Sequence, residues 1–180
     1  MIRRAFLFLD IAVKIALMAL LIHAVANPDL PQYSGKAMTG RALAFPIAAL
    51  LVPTMWALRF RDEPYPVDID LLFTTPFLID VVGNALGLYD SISWWDDANH
   101  FVNWFLLGMG AGLILRHAKD LRPWELAWMV TGLGALLAIL WELAEWYTFI
   151  RHGTELSTAY EDTLGDLALG SLGALVAGLL

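Results

Sequence analysis

The chain has 180 residues, 59% of them hydrophobic and only 16% charged, with a mean hydropathy of +0.63. A soluble domain of this length does not need so much apolar surface, so the long apolar runs point to a membrane. The net charge of −7 argues against nucleic acid as a partner, and the lack of cysteine excludes disulfides, thiolate metal sites and thiol catalysis.

Arg3 and Arg4 precede an apolar run that closes on Ala24-Val25-Ala26, the outline of a secretory signal. Asp10 and Lys14 interrupt that run, and it is long enough to span, so it is read as an uncleaved first helix. A span needs roughly 20 mostly apolar residues, which places spans at 5–26, 41–60, 67–88, 98–116, 123–149 and 162–180. Asn27-Pro28 and Pro31 break the chain after the first span, and Arg61 to Pro66 turn it before the third. Pro123 sits in the first turn of the fifth, where proline is tolerated. Pro46, Pro53 and Pro76 fall inside spans and are expected to kink them. The expected fold is all-α: one transmembrane domain over residues 1–180, a polytopic bundle of about six helices. The last span ends at Leu180, which leaves a continuation of the chain open.

Lysine and arginine set the orientation. Arg3, Arg4, Arg59, Arg61, Arg116, Lys119 and Arg122 fall on one side, against Lys36, Arg41 and Arg151 on the other. The richer side is read as cytoplasmic, with both termini there and a bacterial inner membrane as the location. Four spans then carry acidic groups to the same outer level: Asp80 and Asn84 in the third, Asp96 and Asp97 in the fourth, Glu142 and Glu145 in the fifth, Asp162 and Asp166 in the sixth.

Residues three and four apart share a helix face. Asp97, His100, Trp104, Gly108 and Ala111 form one stripe, and Thr131, Ala135, Ala138, Glu142 and Glu145 a second. Asp162, Asp166, Gly170, Gly173 and Ala177 form a third, and Pro76, Asp80, Gly83 and Gly87 a fourth. Small residues mark helix–helix contact in membranes, so the polar tips are expected to point into the bundle.

Three motifs carry a resemblance: Asp96-Asp97-x-x-His100, Trp141-Glu142-x-x-Glu145-Trp146 and Tyr160-x-Asp162-Thr163-x-Gly165-Asp166. In these the chain resembles the YjdF-like bacterial inner-membrane proteins, a family of unknown function. The resemblance implies a small polytopic membrane protein and points to the same polar residues; it implies no reaction.

Asp96, Asp97 and His100 have metal-ligand spacing, an ion held by oxygens and one imidazole. The plainer expectation is that one of the two aspartates caps the helix. Glu142 and Glu145 lie at the wrong end of their helix for capping, and two carboxylates this close repel unless a cation or a shared proton separates them. Their plain alternative is snorkelling to the surface within a belt of Trp141, Trp146 and Tyr147. Asp162 reads as a cap and Asp166, a turn deeper, as functional. Asp10 and Lys14 read as a neutralising pair, and His23, His117 and His152 are given no role.

The reading that results is a divalent metal ion, of unspecified identity, held by Asp96, Asp97, His100, Glu142, Glu145, Asp162 and Asp166. Glu142, Glu145 and Asp166 are the candidate catalytic residues, and membrane lipid or a lipid-linked molecule is the expected partner and substrate. A proton- or cation-coupled transporter using the same carboxylates as a relay, and a non-catalytic structural membrane protein, are the alternatives.

Overall fold

Within a bilayer the backbone has no water to bond, so each apolar run must close its hydrogen bonds on itself. In the computed structural model, which describes residues 2–180 and every side chain there except those of Ile2, His152, Thr154 and Glu155, the runs are helices and no strand occurs among the described residues. Helix α1 is Ile2–Ala26. A turn-rich segment leads to α2 (Met38–Ala49), α3 (Leu51–Met55) and a π-helical turn, Trp56–Phe60. These three run on as one stretch that breaks near Leu50, between Pro46 and Pro53, each of which removes a backbone donor. Then come α4 (Val67–Ala85) and a short α5 (Leu88–Ser91), joined through Gly87 at φ 64°. The last three helices are α6 (Trp95–Ala118), α7 (Pro123–Thr148) and α8 (Ala159–Leu179), with two 3-10 turns between α7 and α8.

Five stretches among the described residues are long and apolar enough to cross a membrane: Arg3–Ala26, Met38–Phe60, Trp95–Ala118, Pro123–Thr148 and Ala159–Leu179. Helix α4, expected as a sixth span, is not one of them; its 19 residues include Asp68, Asp70 and Asp80. The helix ends fall within a few residues of those expected. His152, given no role from the sequence, has its side chain outside the described residues.

Helix α4 is the keel. It packs on α1 and α2 on one side and on α6 on the other, and α8 lies against both α6 and α7. The small-residue stripes are where the last three helices meet. A Cβ on Gly108 of α6 would stand 2.9 Å from Ala177 Cβ of α8, and one on Gly173 would collide with the Phe101 carbonyl oxygen of α6. Gly134 of α7 meets Ala174 in the same way. Large apolar side chains at the outer surfaces of the helices, among them Phe8, Leu43, Ile47, Leu58 and Leu136, stay exposed. That is the inverse of a soluble protein and suits a surface facing lipid.

Between the middle of α1 and the first turn of α4 a second polar knot forms. Lys14 Nζ reaches Asp10 at 2.5 Å and Asp70 at 2.6 Å, and the Tyr65 hydroxyl donates to Asp70. The expected Asp10–Lys14 pair is thus present and gains Asp70 from another helix. Burial, and next the Asp70 carboxylate, push the Tyr65 phenol well above its ordinary range, so it stays a donor.

Candidate metal centre

Each end of the candidate site begins with where a side chain sits along its helix. His100 lies in the second turn of α6, Asp166 in the second to third turn of α8, and Glu142 nearly two turns before the end of α7. At ~1.5 Å rise per residue, all three stand about 8–10 Å in from their helix ends. They are therefore at one level, and all three are buried. The expectation that α6, α7 and α8 bring their acidic motifs together is met.

His100 is the centre of the group. Its Nε2 lies 3.6 Å from Asp96 Oδ1 and 3.6 Å from Asp166 Oδ1, and its Nδ1 lies 3.8 Å from Glu142 Oε1. These distances are too long for hydrogen bonds. The two Nε2 distances are close to the edges of a ligand polyhedron, about 3.4 Å for a tetrahedron with ligands ~2.1 Å from the ion. Asp96, His100 and Asp166 each place one ligand atom within 4.8 Å of the others, as do His100, Glu142 and Glu145. Glu142 is only 6% exposed, and its Oε1 has no hydrogen-bond partner among the described residues. Its other contact is the Thr163 hydroxyl of α8. The snorkelling expected as the plain alternative for Glu142 is therefore corrected: the residue points into the bundle, while Trp146 and Tyr147 remain exposed as an interfacial pair.

Asp97 and Asp162 sit apart. Both are exposed, in the first turns of α6 and α8, and neither belongs to the two close groups. Of the capping expected of one of Asp96 and Asp97, and of Asp162, the place at the helix start holds, but none of them is the cap residue. The cap positions are Trp94 and Thr158, neither with a side-chain capping bond, and the aspartates follow them inside the first turn, where the dipole favours negative charge.

Glu145 has a partner that sequence reasoning missed. Arg41, at the start of α2, donates from Nε to Asp80 at 3.0 Å and from Nη2 to Glu145 at 3.1 Å. Counted above as a loop charge, it in fact turns inward and is largely covered, with its guanidinium 6.0 Å from the Trp141 ring and 5.8 Å from the Phe149 ring. Asp80 accepts a second bond from Tyr89, 2.9 Å away, and Asn99 donates to that same hydroxyl. Asn103 extends the chain to Asn99 at 2.8 Å. Burial, followed by the Asp80 charge, holds the Tyr89 phenol far above its ordinary range, which fixes it as the donor. Arg41 thus answers Asp80 and Glu145. Asp96, Glu142 and Asp166 have only His100 facing them among the described ion pairs.

The model of a family described as "Predicted membrane protein (DUF2238)" matches residues 9–180. The chain belongs to this family. No curated protein and no solved structure matches it. As a family member it is a membrane protein, in accord with its five membrane-length helices, and the YjdF-like resemblance of its motifs is consistent with this family.

Proposed function

We propose that this DUF2238 protein is a six-span protein of the bacterial inner membrane that binds one divalent cation at its outer boundary and uses it on a lipid or lipid-linked substrate. The cation is held by His100 Nε2, Asp96 and Asp166. Glu142, on the Nδ1 side of the ring, cannot share that ion with Nε2; it takes the Nδ1 proton and fixes the imidazole, the carboxylate–histidine–metal arrangement of many metal sites. The single observation that carries this is the buried, partnerless Glu142 Oε1 aimed at Nδ1. An unpaired buried carboxylate oxygen is costly, and a cation that locks the ring removes the cost. Two carboxylates and one imidazole favour an ion such as zinc or manganese over calcium. Its chemistry would be to polarise a phosphate or activate a water. The cluster stands about 8–10 Å in from the helix ends, nearer the ends than the middle of helices that span a ~30 Å hydrocarbon layer, and this supports a head-group substrate over a transport path.

The test is a melting curve in detergent with chelator and with added magnesium, manganese or zinc. The wild type is expected to gain stability with concentration as RT ln(1 + [L]/Kd). Asp166→Asn should lose the response. Glu142→Gln should keep it but need roughly 10–100-fold more cation, as for other losses of an orienting partner. A wild type indifferent to all three ions overturns the reading.

A further inference from the structure

Between α2, α4, α6 and α7 lies a cavity of about 410 Å³, within the ~300–1,000 Å³ of small-ligand sites. One end is polar, with Arg41, Asp80, Asp96, Asn99 and His100 on its wall. The rest is apolar, with Phe73, Pro76, Trp104 and Leu107 among the residues that line it. It exists because α2 packs on α1 and α4 and not along α7. The two helices are tied at the outer end, by the Arg41–Glu145 pair and by Phe45 stacked on Trp141 at 6.0 Å between centroids. Below that tie they stand apart, and Ala48 and Leu51 of α2 face the space together with Leu137 and Leu140 of α7. Leu51, Leu137 and Leu140 are also substantially exposed on the outer surface. The mouth therefore opens sideways between α2 and α7, onto the apolar surface that suits lipid.

We propose that this cavity binds one apolar chain of a phosphate-headed lipid, with the phosphate at the His100 end. The chain placement stands on the cavity and its sideways mouth; the phosphate placement rests on the cation reading above. Without a cation the polar end is acidic, since Arg41 is already shared between two carboxylates. An anionic head needs the ion to be held there.

The experiment measures equilibrium binding of a monoacyl glycerol phosphate, of the monoacylglycerol with the same chain, and of inorganic phosphate to the full chain in detergent, with manganese and with chelator. The monoacyl phosphate is expected to bind about tenfold or more tighter with manganese. The uncharged monoacylglycerol should bind equally under both conditions, and inorganic phosphate should not displace either. Ala48→Phe, and separately Leu107→Phe, should lose both lipids while keeping the manganese-dependent rise in melting temperature, which shows each is folded. Unchanged lipid binding by both variants overturns the proposal. So does monoacyl phosphate binding that ignores manganese in a protein whose melting responds to it. Inorganic phosphate that binds and displaces the lipid points to a free-phosphate site and equally overturns it. If chain binding is sensitive to both variants but melting ignores every cation, the cation reading is what has failed, and the phosphate placement goes with it.

Discussion

Arg41 is the residue on which the polar network of Asp80 and Glu145 turns. A guanidinium presents its donors in a fixed fork, so one side chain bonds Asp80 on α4 and Glu145 on α7 at once. Removing one partner of a buried ion pair costs about 3–5 kcal/mol, because the other charge is left without an answer. Arg41→Ala is expected to cost that order of stability, and Arg41→Lys nearly as much, since an ammonium is a point charge that does not reproduce the fork. Adding Asp80→Asn and Glu145→Gln to Arg41→Ala should restore most of the loss. Unfolding of the single and triple variants in detergent reads the coupling as in a mutant cycle. A triple variant no more stable than the single one would mean that the arginine acts through packing on Trp141 and Phe149 alone. None of this was legible in the sequence. An arginine at the edge of an apolar run looks like a loop charge, and its partners lie 39 and 104 residues away, where no local spacing connects them.

At the scale of the helices, the close approach of α6, α7 and α8 sets the spacing of the candidate ligands. Helices in lipid associate through packing, so small residues decide how near the backbones come. Gly108→Leu and Gly173→Leu are expected to lower the melting temperature clearly and to abolish any cation response, because both push α8 away from α6 and carry Asp166 from His100. Gly132→Leu is the control, since a Cβ there meets nothing within 4 Å. Equal stability of all three variants would refute this packing. The stripes were readable beforehand because small and polar residues recur three and four apart on single helices. The sequence pattern showed that Asp166, Glu142 and His100 face inward. Which imidazole nitrogen each carboxylate meets depends on the rotation of one ring between three helices, and no pattern along the chain encodes it.

At the scale of the whole molecule the open question is whether α4 crosses the membrane. Its three aspartates argue against it by composition, yet two of them are answered inside the bundle: Asp70 by Lys14 and Tyr65, Asp80 by Arg41 and Tyr89. Asp68 is exposed in the first turn, where it can reach water. A helix whose charges are paired by its neighbours carries a much smaller penalty than its hydropathy suggests. Taking Arg41 out of the loop tally also sharpens the charge asymmetry, leaving Lys36 and Arg151 against the seven basic residues of the other side. Six crossings put both termini on one side, which the charge asymmetry makes the cytoplasm; five put them on opposite sides. The chain has no cysteine, so single cysteines at the exposed positions Asp29, Asp62, Ser93, Asp120 and Ser157 can report sidedness without background. In intact cells an impermeant maleimide is expected to label the variants at Asp29, Ser93 and Ser157. Those at Asp62 and Asp120 should label only after lysis. Labelling of Asp62 and Ser93 from the same side would show that α4 does not cross. The polar cluster would then lose its assigned face, and a head-group substrate at the outer boundary would have to be abandoned together with the six-span arrangement.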